Sequence, residues 1–389
     1  MTAAKIGSAL VATHNLADYA GSEIFTLELA TALRKMGWQV MVTALLPGEP
    51  MLSEFKRHGF QIVNLLTDDL LIRDVKFDLV WIHHTPVFYE LLIARKIEAK
   101  NIIYCSLSHF EPLEAPPSNV ELLDLLLAHS EENKNLIKKD YKLEEDQIIV
   151  FPNAAPKNYL NCSRSAPSLQ LTRLAVVSNH PPSEVLDVVK ILQNSNIIVE
   201  HIGLNGIKML VGPGLLLKYD AVITVGKTVI YSFALNISVY CYDHFGGPGW
   251  LTDDNFELSR INNFSGRGFE KKPSEVIAFE IINGYQKSLL QLKKFRTHAE
   301  TFHDLEKNLQ KLLIHPKIFQ SKPISLVDDI HLLKQHARYI RLAKTLSIRE
   351  MELAARDREI LRLKTSLSWR LTAPFRLIYN FLLRIIGEI

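Results

Sequence analysis

The stretch Ile6–Leu45, IGSALVATHNLADYAGSEIFTLELATALRKMGWQVMVTAL, contains a strand, a helix and a second strand in one run. The apolar run Ile6–Thr13 has the length of a buried strand, and Ser22–Met36 repeats apolar residues at helical spacing. Gly37 follows where helices commonly end on a left-handed residue, and Trp38–Leu45 is the next strand. Apolar strands separated by helices predict a parallel sheet that is covered on both faces.

This alternation continues through the first half of the chain. Further strands are predicted at Phe60–Leu65, Asp78–His83, Asn101–Leu107, Leu122–Ala128 and Gln147–Phe151, and helices at Val87–Ala99 and Asn133–Lys139. The segment Pro152–Ser168 then breaks the pattern with prolines, asparagines and serines, which is typical of a hinge or linker.

The second half restarts the pattern. Strands are predicted at Arg173–Ser178, Ile197–Ile202, Ala221–Val225 and Ser238–Tyr242, and helices at Ser183–Gln193 and Thr228–Leu235. The expected fold class is therefore α/β, with two Rossmann-like domains facing a cleft and a helical tail. We predict a first domain, a hinge, a second domain and a tail at residues 1–153, 154–171, 172–315 and 316–389. Ligands of open α/β sheets bind at the carboxyl ends of the strands, so the cleft is the expected site.

Composition limits the class of protein. Apolar residues make up 47% of the 389 residues and charged residues 22%, which is typical of a globular chain. Cys105, Cys162 and Cys241 form no CxxC pair, which predicts neither a disulfide framework nor a zinc site and favours a reducing, cytoplasmic location. The apolar runs predict neither a signal peptide nor a membrane-spanning helix. The GxGxxG fingerprint is absent, which counts against an NAD enzyme.

Two strand-to-helix junctions have the chemistry of an anion site. At His14–Glu23, Gly21 lets the backbone approach a ligand, and Ser22 lies at a helix start with free N–H groups. The alternative is an ordinary turn with Ser22 as the N-cap. The junction Val225–Thr228 brings an amide, an ammonium and a hydroxyl to one helix N-terminus, from Gly226, Lys227 and Thr228. That set favours binding of a diphosphate, the alternative being a solvated surface lysine.

The stretch Tyr242–Trp250, YDHFGGPGW, is predicted to form a tight, irregular loop because it contains three glycines and a proline. Asp243 and His244 are titratable and are candidate catalytic groups. The candidate ligand-binding residues of this loop are Phe245, which can stack on a ring, Gly246 and Gly247. The alternative is a structural turn with a buried aromatic side chain.

His109 follows the predicted strand Asn101–Leu107, where its side chain is expected to face the cleft. It is a candidate general base, or a hydrogen-bonding partner of an acceptor, and Glu111 is close in sequence. The alternative is a structural histidine. HExxH, DxD and paired CxxC motifs are absent from the sequence, so no metal ion is expected.

Four stretches resemble the GT-B glycosyltransferases, especially the large retaining family of bacterial polysaccharide and lipopolysaccharide assembly. AGSEIFTLELATALRKMGWQVMVTAL resembles that family's opening GG-x-E helix and G-H-x-V strand. VFPNAA resembles its VIPNG segment before the hinge, and DAVITVGKTVIYSFALNISVYCYD its donor-site segment. SLSWRLTAPFR is similar to a tail of many surface-polysaccharide transferases.

The resemblance implies a nucleotide-sugar donor in the second domain, a glycan or lipid-linked acceptor in the first, and neither a cofactor nor a metal ion. It implies that Gly21 approaches the donor phosphate and that His109 matches the cleft histidine. The expected activity is hexosyl transfer to a growing, lipid-linked surface polysaccharide, lipopolysaccharide or O-antigen. The family's E-x7-E carboxylates would fall near Thr224 and Ser232 and are absent, so a non-catalytic scaffold and a nucleotide-sugar epimerase stay open as alternatives.

The tail is basic, because residues 331–389 carry twelve Lys and Arg against five Asp and Glu. Apolar residues recur every seven positions, a weak coiled-coil pattern that a single solvated helix also fits, at Leu346, Leu353, Ile360 and Leu367. After Trp369 a helical stripe is predicted, at Leu371, Phe375, Ile378, Leu382 and Ile385. With its flanking arginines it predicts a peripheral helix on the anionic inner face of the cell membrane; docking on the protein body or a partner is the alternative. The rest of the chain is mildly acidic, so no nucleic-acid partner is expected.

Overall fold

The computed structural model describes residues 7–68, 71–162, 164, 166–316 and 330–376. Its first sheet has seven parallel strands in the order β3-β2-β1-β4-β5-β6-β7. They are β1 (Ser8–Leu16), β2 (Gln39–Pro47), β3 (Ile62–Asn64), β4 (Leu79–Ile82), β5 (Ile102–Ser106), β6 (Leu125–Ala128) and β7 (Ile148–Val150). The parallel sheet predicted for the first half is confirmed, and its central strands are mostly apolar and buried on both faces.

The helices of this half are α1 (Gly21–Lys35), α2 (Met51–Arg57), α3 (Thr85–Phe88) and α4 (Glu131–Tyr141). The N-cap of α1 is Ala20, so Ser22 lies inside the first turn and its prediction as the N-cap was wrong. The helix predicted at Val87–Ala99 is shorter than expected: α3 passes into a π-helical turn at Tyr89–Ala94.

The second sheet has the order β12-β11-β10-β8-β9. Its strands are β8 (Arg173–Val177), β9 (Ile198–Ile202), β10 (Ala221–Thr224), β11 (Ser238–Asp243) and β12 (Gly246–Trp250). The first four are parallel, as predicted, but β12 is antiparallel to β11. The irregular loop predicted at Tyr242–Trp250 was therefore wrong: it is a β-hairpin that turns at His244 and Phe245.

Helices flank this second sheet and return to the first. They are α5 (Lys157–Leu160), α6 (Ser183–Asn194), α7 (Pro213–Leu216), α8 (Lys227–Ala234), α9 (Asp253–Ile261), α10 (Ser274–Leu289), α11 (Leu292–Phe302) and α12 (Leu305–Leu313). The apolar face of α12 lies in the first core, where Leu305 and Leu309 are fully buried. The chain thus crosses between the halves twice, and at the crossings Ala155 N donates to His303 O at 2.7 Å and Leu305 N to Ala155 O at 3.1 Å.

The tail forms a separate unit with two helices, α13 (Ile330–Thr365) and α14 (Leu367–Leu371). Leu346, Leu353 and Ile360 of the seven-residue pattern are exposed on α13. Within 330–376 the guanidinium of Arg376 lies over the Trp369 ring at 3.9 Å. The predicted stripe residues Ile378, Leu382 and Ile385 lie outside the described residues. In the described part of the chain, no helix combines the length and the apolar character needed to cross a membrane.

Four buried histidines predict an acid-sensitive fold. Burial lowers the pKa of His14, His129 and His303 from 6.5 to about 4, and it lowers the pKa of His83 well below its usual value. Below about pH 6.5 the unfolded chain binds protons that the folded rings do not, so the free energy of unfolding falls as pH drops towards 4. Four such protons give a slope of about 5 kcal/mol per pH unit.

Urea denaturation at several pH values between about 7 and 5 measures this slope. Replacing His129 by glutamine is expected to lower the slope by about one quarter, because one of the four protons is removed. Replacing the exposed His180 in the same way is the control and leaves the slope unchanged. A free energy of unfolding that does not change with pH over this range would contradict the prediction.

Candidate functional site

Most of the candidate site residues predicted from the sequence line two cavities between the halves. The first, here called the α8 cavity, has a volume of about 240 Å³. Asp18, Tyr19 and Gly21 line it from the first half, and the second half contributes Asn179, Lys208, Lys227 and Thr228. The structure therefore brings the glycine of the first predicted junction to the lysine and threonine of the second.

The N-terminus of α8 forms one wall of this cavity. Gly226 is the N-cap residue, with φ of 60°, a left-handed value that glycine adopts without strain. Its N–H donates to Phe264 O, which fixes the turn. Lys227 and Thr228 are the first residues of the helix, so free amides and the positive end of the helix dipole lie at the cavity.

The ammonium of Lys227 is already engaged in the described structure. It forms an ion pair across the cleft with Glu28 of α1 and lies 4.6 Å from the centre of the Phe25 ring. Both charged side chains are only 11% exposed. The predicted phosphate-binding cation therefore lies in the cleft, where its partner is a carboxylate of the other half.

Glu28 has a second partner in the other half, because the Tyr231 hydroxyl donates to its carboxylate. Burial raises the pKa of Glu28, while Lys227 acts in the opposite direction. The ring of Tyr231 stacks on Tyr159 with ring centres 4.1 Å apart. Glu28, Lys227 and Tyr231 together form a buried polar cluster, here called the Glu28 cluster, that holds α1 against α8.

Of the two candidate residues at the start of α1, Gly21 lines the α8 cavity and Ser22 does not. Among the described residues, no atom lies within 4 Å of the position that a Cβ of Gly21 would occupy, so its small size leaves open space beside the α8 cavity. The Ser22 hydroxyl donates to Glu23 at 2.7 Å and is thereby turned to its own helix. Ser22 is not among the residues that line the α8 cavity.

The second cavity, here called the His109 cavity, has a volume of about 200 Å³. Its lining includes His109, Glu132 and Arg267. The β11–β12 turn contributes Asp243, His244 and Phe245. Gly226 also lines it, so the N-terminus of α8 lies between the two cavities. The first-domain histidine and the second-domain hairpin turn thus line one cavity.

His109 has the geometry of an oriented base. Its Nε2 lies 2.9 Å from Asp140 Oδ2, whereas Nδ1 is buried and has no hydrogen-bond partner in the described parts of the chain. The carboxylate fixes the proton on Nε2, which leaves Nδ1 as an acceptor. The aspartate comes from α4 and was missed, because the sequence pointed only to the neighbouring Glu111.

Three other predicted site residues stabilise the β11–β12 hairpin or allow its close packing. The Asp243 carboxylate accepts the N–H groups of Phe245 at 2.8 Å and Gly266 at 3.0 Å, so it caps the turn. A Cβ on Gly246 would meet Glu270 O at 2.5 Å, and one on Gly247 would meet Cys241 O at 2.2 Å. These two glycines allow close backbone packing, which favours the structural alternative for them.

Sequence reasoning missed two cations. Arg267 donates to both Glu132 oxygens across the cleft, and its guanidinium lies 4.6 Å from the Phe110 ring centre and 5.6 Å from that of Phe245. Lys208 lines the α8 cavity and has no ion pair within the ranges described. The local signals were a Gly-Arg-Gly run at 266–268 and a loop with glycines at 203 and 206 before Lys208.

Comparison with known proteins identifies the architecture. Neither a protein-family model nor a curated protein matches this chain. A solved glycosyltransferase from Rickettsia africae is 15% identical, with a TM-score of 0.52 over 82% of this chain and 100% of that one. S. aureus MnaA, solved with UDP, is 10% identical with a TM-score of 0.51, covering 84% and 100%. TarM is 9% identical with a TM-score of 0.51, covering 82% and 99%.

These similarities are too remote in sequence to assign a family, but they cover nearly the full length of the solved proteins. They agree with the two facing Rossmann-like halves and the helix that returns to the first core. This chain has the GT-B fold.

Proposed function

We propose that the protein is a glycosyltransferase that moves a sugar from a nucleotide-sugar donor to a glycan acceptor. One observation carries the proposal: the α8 cavity and the His109 cavity meet at the N-terminus of α8. The first offers helix amides and lysines suited to a diphosphate, and the second offers an oriented histidine base. A donor sugar attached to the diphosphate would then lie next to His109.

In this reaction His109 Nδ1 accepts the proton of an acceptor hydroxyl, whose oxygen forms the new bond to the sugar C1 atom. The C1–O bond to the diphosphate breaks, and the electron pair leaves with the nucleoside diphosphate. Lys208 and the amides of α8 stabilise that developing charge, as does Lys227 if the donor displaces Glu28. These protein groups supply the required charge without a metal ion.

The finer assignment is a hexosyl transfer to a lipid-linked surface polysaccharide, such as a lipopolysaccharide or O-antigen, at the cytoplasmic face of the membrane. It is supported by the sequence resemblance and by the basic tail, in which Arg376 packs on Trp369. Cationic helices with aromatic residues bind anionic membrane surfaces.

Isothermal titration with UDP, GDP and a panel of their sugar conjugates tests the proposal. Replacing Lys208 by alanine is expected to weaken diphosphate binding roughly tenfold or more, because a charge-assisted contact is lost. The double variant Glu28→Gln/Lys227→Met removes both buried charges together and is expected to weaken binding similarly. Replacing the exposed Lys218, which lies outside the cavity on the same half, is the control and leaves affinity unchanged.

A specific observation supports a second candidate, a non-catalytic scaffold of polysaccharide assembly. The cation of α8 is neutralised by Glu28, and the carboxylates of the related donor motif are absent near Thr224 and Ser232. The titration separates the candidates. The scaffold is favoured if the wild-type protein binds no nucleotide or nucleotide-sugar, and the transferase if product is released only when a glycan acceptor is added.

A further inference from the structure

A third cavity between the halves is larger than the α8 cavity and the His109 cavity. It lies beside the two chain crossings, has a volume of about 540 Å³, and is here called the hinge cavity. Its walls come from the ends of β6 and β7 and from α9, α11 and α12, and include His129, Asn153, Phe264, His298 and His303. None of the residues predicted from the sequence to bind or react lines it.

Two imidazole nitrogens at this cavity have no hydrogen-bond partner in the described part of the chain. His303 is 3% exposed, and its Nδ1 lies 2.5 Å from Asn153 O, whereas its Nε2 is unpartnered. A backbone carbonyl only accepts, so the proton is on Nδ1 and Nε2 is an acceptor. His298 Nε2 is also unpartnered, and the two rings lie 5.1 Å apart.

An unsatisfied buried acceptor requires an explanation, because burial without a hydrogen bond costs free energy. A ligand with hydroxyl groups supplies the missing donors, and two neighbouring hydroxyls match two neighbouring ring nitrogens. Burial keeps His303 neutral, since its pKa is lowered to about 4, so the ring does not attract an anion.

The remaining walls favour an uncharged ligand with an apolar face. Three aromatic side chains line this cavity: Phe151, Phe264 and Phe302. Aromatic rings are surfaces on which the C–H groups of a sugar can pack. Charges at the cavity are balanced: Arg260 pairs with Glu257, and Lys311 and Glu131 have opposite signs.

We propose that the hinge cavity binds a neutral sugar ring, with a hydroxyl donating to His303 Nε2 and an apolar face on the aromatic wall. It adjoins the His109 cavity, because the two cavities share Ser130 and Asn263. Asn153, which lines the hinge cavity, donates to Asn263 Oδ1 at 2.7 Å. This second glycan site goes beyond the proposed function, because it requires no transfer reaction.

Saturation-transfer NMR on the full chain tests the proposal with the methyl glycosides of glucose, galactose and mannose. The wild-type protein is expected to saturate the ring protons of at least one of them. Thr301 lines the cavity from the exposed side of α11, so Thr301→Trp obstructs it and is expected to weaken binding roughly tenfold. Thr297→Trp is the matched control: it is also exposed on α11, does not line the cavity, and leaves the signal unchanged.

A second variant, His303→Phe, keeps an aromatic ring, removes both ring nitrogens, and is expected to give the same loss. The proposal is overturned if no glycoside is saturated, if Thr301→Trp binds as the wild type does, or if inorganic phosphate or UMP displaces the glycoside from the cavity. Lys208→Ala is expected to leave the glycoside signal unchanged. Failure of UDP to bind in the separate titration contradicts the proposed transferase without affecting this site.

Discussion

The variant His109→Gln is expected to lower kcat by about 10²- to 10⁴-fold, with little change in the donor KM, because it removes a general base and leaves the α8 cavity intact. The measurement is release of nucleoside diphosphate from whichever UDP- or GDP-sugar turns over fastest with a glycan acceptor. The paired variant Asp140→Asn keeps the imidazole and loses the carboxylate 2.9 Å from it. It is expected to lower kcat less.

The split between kcat and KM distinguishes a base from a merely structural histidine. Loss of a base slows the chemical step and leaves the donor KM near its wild-type value, whereas a general structural defect changes both. The control Glu111→Gln, which changes a carboxylate close in sequence to His109, leaves both kcat and KM unchanged. Wild-type turnover in His109→Gln would exclude this histidine as the base.

The variant Glu28→Ala is expected to lower the free energy of unfolding by about 3–5 kcal/mol, because it leaves Lys227 buried without its counter-charge. Tyr231 also loses its acceptor in this variant. Urea denaturation at neutral pH measures the change. Asp187→Ala, which removes an exposed partner of Lys190, is the control and is expected to cost less than about 1 kcal/mol.

The double variant Glu28→Gln/Lys227→Met shows whether the loss comes from the unpaired charge. It removes both charges with similar side-chain volumes, so it is expected to be more stable than Glu28→Ala. If Glu28→Ala unfolds at the same urea concentration as the wild type, the Glu28 cluster does not hold α1 against α8.

The fold followed from the sequence because its signals are local. Apolar runs such as Ile6–Thr13 and Trp38–Leu45 set the strands, and the restart after Pro152–Ser168 marked the second sheet. The hairpin β11–β12 was missed because glycines at 246, 247 and 249 hide a strand pattern. The glycines at 246 and 247 allow close contact with neighbouring backbone, and Gly249 has a φ of 80°; no local pattern records either property.

The sequence predicted that the candidate site lies in the cleft, but it predicted only some of the side chains that contact each other there. Residues that follow the carboxyl ends of the strands are expected to lie at the cleft. His109 and Lys227 both follow such strand ends, and both line cavities between the halves. Their partners, Asp140 and Glu28, are far away in sequence and belong to other helices. Pairing of such side chains depends on how helices dock, and a single sequence contains no direct signal for it.

The paired chain crossings at Ala155 and His303 determine how the two halves can move. Because backbone hydrogen bonds join the crossings, we expect them to favour rotation about one axis over sliding of one half on the other. Asn153 and His303 lie at the crossings, so we expect their spacing to change less than the width of the cleft mouth. The walls of the hinge cavity would then keep their arrangement at each stage of such a rotation.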